Sequence, residues 1–190
     1  MVLVSGGLGY YIASVNAPLP TASTGSGINA VNLLIVPDYG GAGYDAFVKD
    51  SNVNATAPQP ATNSTGPGPN NNNFTVEAGV PIKFVITSVD SAVLQNFTGQ
   101  VTVPFTIYND TEGGQVAVRY DAGQTVSDLP IGHTFTISQL GLDVPLPPLT
   151  MVTFTYTFSK PGLYLYLCET PCGPGMNLNG YMQGYVLVTQ

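Results

Sequence analysis

Almost nothing in this chain repeats at a helical period. Its apolar residues fall instead in short runs rich in Val, Ile, Thr, Phe and Tyr, each ended by turn residues. The runs are 30–39 "AVNLLIVPDY", 73–89 "NFTVEAGVPIKFVITSV", 99–109 "GQVTVPFTIYN", 114–123 "GQVAVRYDAG", 133–140 "HTFTISQL", 151–159 "MVTFTYTFS", 163–168 "LYLYLC" and 184–190 "GYVLVTQ". Strict alternation in "TFTYTF" and "LYLYL" sends one set of side chains inward and the next outward. The pattern predicts an all-β sandwich or barrel. At 190 residues the chain suits a single domain that buries a core without covalent help.

Residues 50–73, "DSNVNATAPQPATNSTGPGPNNNN", have no periodicity and are expected to form a mobile surface loop. The first 14 residues are apolar but broken by glycine. They are too short for a span of about 20 apolar residues and lack a basic start. Residues 1–25 read as an apolar tail or the remnant of a membrane anchor, or as an ordinary first strand; residues 26–190 read as the domain.

Eleven Asp and Glu stand against four Lys and Arg, and only 8% of residues are charged. The basic residues, Lys49, Lys83, Arg119 and Lys160, are scattered, which excludes a phosphate-neutralising surface and hence a nucleic-acid partner. No glycine-rich phosphate loop or G-x-S-x-G elbow occurs, so neither a phosphate ligand nor a serine hydrolase is expected. A single His leaves too few imidazoles for a zinc hydrolase. A surface solvated by Asn, Thr, Ser and Gln changes little as carboxylates protonate, which suits an acidic extracytoplasmic habitat. Five Asn-x-Ser/Thr triplets, at Asn54, Asn63, Asn73, Asn96 and Asn109, lean the same way.

The chemistry gathers late in the chain. Cys168 and Cys172, the only cysteines, follow an alternating strand in "YLYLCETPCGPGM". His133 opens another strand 35 residues earlier, and Met176 and Met182 come after the cysteines. Thiolate, imidazole and thioether are the ligands of soft copper sites. In an oxidising compartment, the same cysteines could equally pair as a disulfide.

The stretch from "HTFTI" through "YTFSKPGLY" and "CETPCGPGM" to "MQGYVLV" resembles the cupredoxin domain of subunit II of haem-copper oxidases. That family carries a His strand, then Y-x-F-x-x-P-G-x-Y, C-x-x-x-C-G-x-x-H and M-x-G-x-V-x-V. The likeness runs from about residue 73 to 190, around an extra segment at 91–132. It implies a cupredoxin-like Greek-key sandwich or barrel with long loop insertions. It further implies an extracytoplasmic copper domain that passes single electrons in a respiratory chain and is not catalytic alone.

Carried over by position, the resemblance makes His133 an imidazole ligand, Cys168 and Cys172 bridging thiolates and Met182 the thioether, with a carbonyl from Glu169 or Thr170. The implied partners are other oxidase subunits or a small redox carrier, with membrane anchoring. Where the family has its second His this chain has Met176, and the loop "NLNGYM" is longer than the family's. Three outcomes follow: one copper on His133, Cys168 and Met182; Cu(I) on both thiolates and both thioethers; or a metal-free structural or assembly subunit of an oxidase or extracellular lattice. Met176→His is expected to restore the missing imidazole, so copper loading of that variant should give a purple dinuclear centre. Absence of the colour marks a loop reshaped beyond that use.

Overall fold

The computed structural model describes residues 29–38, 44–49, 72–178 and 180–190. The expected tail at 1–25 and almost all of the loop at 50–73 lie outside these residues. Among the described residues there is no α-helix, and no helix is long and apolar enough to cross a membrane.

The described residues form thirteen strands: β1 (Asn29–Val36), β2 (Ala46–Lys49), β3 (Phe74–Glu77), β4 (Pro81–Ser88), β5 (Gln95–Gln100), β6 (Phe105–Thr111), β7 (Gly114–Tyr120), β8 (Thr125–Ile131), β9 (His133–Ile137), β10 (Leu142–Leu146), β11 (Thr150–Thr157), β12 (Gly162–Leu167) and β13 (Gln183–Thr189). They build an all-β sandwich. One sheet runs β2-β1-β4-β11-β6-β7, the other β10-β9-β12-β13-β3, and β5 pairs with β8 separately. The β1/β4 and β3/β13 pairs are parallel and the remaining pairs antiparallel.

The long run at 73–89 is two strands. Gly79, at φ +78°, turns the chain between β3 in one sheet and β4 in the other, a conformation that costs glycine nothing. Four strands had no clear pattern in the sequence. β2 has only four residues. β5 shows no buried residue. β8 and β10 contain Pro130 and Pro145, which cannot donate to a ladder and so mask a strand signal. Residues 91–132 hold β5 to β8, with β6 and β7 extending the larger sheet.

Alternation decides which side chains meet. On β11, Val152 and Phe154 point inward while Thr155 and Thr157 are exposed. Phe154 stacks on Phe84 of β4 at 4.7 Å between ring centroids, and both rings lie against Phe135 of β9 in the opposite sheet. Phe135 in turn stacks on Tyr166 of β12 at 5.0 Å. This aromatic block joins the sheets. Phe84→Ala should cost about 3–5 kcal/mol in denaturant unfolding, because the cavity would open among rings that cannot collapse into it. Val93→Ala, at a side chain 56% exposed just before β5, should cost under about 0.5 kcal/mol in the same assay.

Candidate metal centre

The site is built by strand register. β12 meets β9 at Leu167↔Thr136. Continued past the strand end, that antiparallel register sets Cys168 across from Phe135, with His133 on the same inward face. The Glu169 N–H donates to Thr134 Oγ1 at 2.8 Å and holds the extension in place. On the other side, β12 pairs with β13 at Leu167↔Gln183, and the Cys168 N–H donates to the Met182 carbonyl at 2.9 Å. Met182 therefore faces Cys168 as a cross-strand neighbour, and such pairs place Cβ atoms about 5 Å apart. His133, Cys168 and Met182 are fully buried at one end of this sheet.

Cys172 comes back to Cys168 through a tight turn, its N–H donating to the Thr170 carbonyl at 2.7 Å. Both cysteines are free thiols, with Sγ atoms 2.7 Å apart. The Thr170 carbonyl lies 3.1 Å from Cys172 Sγ, whereas the Glu169 side chain turns away to Ser138. Met176 sits on a 3-10 turn (Pro174–Asn177), half-buried against the core. The structure thus gathers His133, Cys168 and Cys172 into one cluster, their donor atoms within 4.8 Å of one another, with Met182 beside it and Met176 on the loop that follows.

Two carboxylates of the centre escaped the sequence reading, and Thr170, which entered there for its carbonyl, brings its hydroxyl as well. Asp90, just past β4 in the opposite sheet, accepts from His133 Nε2 at 2.9 Å through Oδ2. Its Oδ1 accepts from the Ala92 N–H at 3.0 Å, and its carbonyl accepts from Leu149 N–H. Asp45, just before β2, brings a second carboxylate within 4.8 Å of Asp90 and His133. Thr170, fully buried, places Oγ1 2.9 Å from Cys168 Sγ and donates to the Gly132 carbonyl at 2.7 Å. An acidic residue directly after an apolar strand, as in "ITSVD", is the only trace Asp90 leaves in the sequence.

The electrostatics follow from these neighbours. Burial opposes charge on His133, but the hydrogen bonds and charges of Asp90 and Cys168 outweigh it and raise its pKa to about 9. Burial also opposes ionisation of Asp90 and Cys168, yet both are pulled below their ordinary values, Asp90 by the His133 bond and the backbone, Cys168 by Cys172, His133 and Thr170. Cys172 is pushed up by the Cys168 sulfur it donates to and by burial. Asp45 is raised by its own desolvation.

The donors can be tested against a soft cation. His133 Nδ1 lies 3.7 Å from Cys168 Sγ, close to the roughly 3.5 Å that separates a nitrogen and a sulfur on one tetrahedral ion. With Nε2 fixed on Asp90, Nδ1 is the nitrogen turned to the sulfurs, the arrangement by which a carboxylate orients a metal-bound imidazole. The two sulfurs are about 1 Å closer than two thiolates on one such ion. His133 and Cys168 fit as they stand; Cys172 Sγ would have to lie about 1 Å farther from Cys168 to share the ion.

In the metal-free protein the lone imidazole should titrate near pH 9 by NMR. Because its folded pKa is raised, its stabilising contribution is complete below about pH 6.5 and is lost as pH rises through 9. The contribution of Asp90, with a lowered pKa, is present above its ordinary carboxylate value and is lost as pH falls through the folded one. Asp90→Asn should lower the imidazole midpoint and flatten the alkaline limb of the stability profile.

No family model matches the chain, and no curated protein matches it. Among solved structures, the chain is similar to a multi-copper oxidase from Pediococcus acidilactici, with 9% identity and a TM-score of 0.39 over 91% of this chain. It spans only 28% of that oxidase's length. A heme-copper terminal oxidase dimer matches with 16% identity and a TM-score of 0.39, over 98% of this chain and 90% of the matched one. The periplasmic domain of subunit II of cytochrome oxidase from Bradyrhizobium japonicum matches with 12% identity and a TM-score of 0.39, over 85% and 84%. What the centre can do is read from its own donor atoms.

Proposed function

We propose that this chain is an extracytoplasmic copper-binding domain that relays single electrons, similar to oxidase subunit II, with other oxidase subunits or a small redox carrier as its partners. The observation that carries this reading is the buried His133–Cys168 pair, its donor atoms 3.7 Å apart and its imidazole aimed by Asp90.

His133 Nδ1 and Cys168 Sγ would hold one copper, with Cys172 and the Met182 thioether completing a soft set and Met176 at its margin. One copper is the stoichiometry a single imidazole supports. Copper bound there supplies a one-electron Cu(II)/Cu(I) couple. The protein's own residues do the rest. Asp90 fixes the imidazole tautomer, so that no ligand has to reorient when the charge changes. The buried side chains of Phe135, Tyr166 and Met182 keep water from the sulfurs. Thr170 sets a hydroxyl against Cys168 Sγ, where polar contacts to a cysteine sulfur tune a copper potential.

A second reading has its own observation. The 2.7 Å approach of the free sulfurs also suits a dithiol that oxidises to a disulfide, in a metal-free structural or assembly subunit. Copper loading separates the two. The first reading expects about one copper per chain by metal analysis, a visible thiolate-to-copper charge-transfer band and a Cu(II) spin-resonance signal, all lost in Cys168→Ser. A chain that takes up no copper, shows no such band and has both sulfurs blocked as purified overturns it in favour of the second.

A further inference from the structure

Every open sheet has edges, and an edge strand exposes unpaired N–H and C=O groups that invite another chain. The described strands guard all their edges but one. At the outer edges of the two large sheets, β2 and β3 have four residues each, and β10 carries Pro145. In the separate pair, β5 is bulged between Phe97 and Gly99, and β8 carries Pro130. β7 is different: seven residues, no proline and no register shift against β6. Six of its seven residues are exposed, among them Val116 at 49% and Val118 at 39%. Its outer edge is bonded to no described strand.

The β7 sequence is complementary to itself. In an antiparallel β7–β7 contact, one register pairs all seven residues, the one with a two-fold axis at Ala117. It sets Gly114 opposite Tyr120, Gln115 opposite Arg119 and Val116 opposite Val118 of the second copy. Arg119, the only charge on the strand, meets a glutamine amide and not its own counterpart. The valines form two cross-strand apolar pairs, the kind that stabilise a ladder. They do so on the face where Val118 and Tyr120 line a groove of about 260 Å³ with Ile107, Leu129, Pro147 and Pro148.

We infer that β7 is a self-association edge, and that two copies of this chain pair through it about a two-fold axis at Ala117 to give one continuous sheet of twelve strands. The contact is isologous and closed, so it yields dimers and no filament. It involves none of the residues of the metal centre, and holds whether or not copper is bound.

The native full-length chain should show a concentration-dependent monomer–dimer equilibrium in analytical ultracentrifugation. Replacing both valines, Val116→Lys with Val118→Lys, sets like charges opposite each other and should leave only monomer, with the far-ultraviolet dichroism of the sandwich unchanged. Ala117→Cys puts two thiols on the axis within disulfide reach, whereas Arg119→Cys leaves them about 14 Å apart along the strand. Under diamide, the first should form covalent dimer at least about tenfold faster than the second. A chain that stays monomeric at every concentration, or cross-links equally fast at both positions, overturns the proposal. So does a dimer untouched by the two lysines. A monomer would mean that the edge is covered within the chain or left bare.

Discussion

The contact between the two sheets is aromatic, and both the fold and the His133–Cys168 cluster depend on it. Phe84 and Phe154 of one sheet meet Phe135 and Tyr166 of the other, with ring centroids 4.7–5.8 Å apart along this set of neighbours. Phe135 lies two residues after His133, and Tyr166 two residues before Cys168. The period of a strand therefore keeps ring, imidazole and thiol on one face. Packing that holds the sheets together also positions His133 and Cys168, so their donor atoms inherit the rigidity of the core.

The polar half of the centre comes from elsewhere. Asp90 and Asp45 flank strands of the larger sheet, and they meet His133 only because the sandwich closes. A buried imidazole between a carboxylate and a sulfur is costly to desolvate, and the arrangement is tolerable because each nitrogen has a partner. The fold thus supplies two unlike environments to one ring, a hard oxygen on one side and soft sulfur on the other.

Legibility in the sequence divides along the same line. Strands whose alternation is clean, such as β11 and β12, were readable from residue order alone, because burial on one face imposes period two. β8 and β10 were not, since their prolines break the pattern while the ladders tolerate them. His133 and the cysteines stood out as the chain's sole imidazole and sole thiols, and the family resemblance joined them; the structure puts them within 4.8 Å. Asp90 and Asp45, and the hydroxyl of Thr170 against Cys168, could not be found in this way. Their roles arise from how two sheets face each other or from how a loop folds back, and neither is written in local spacing.

Met176 lies on a turn outside every ladder, while His133 and Cys168 sit within or directly beside one. Exchange of side chains at position 176 therefore breaks no ladder hydrogen bond. Substitution at this position can thus change which donor stands on the loop after Cys172 while every strand that holds His133 and Cys168 stays as it is.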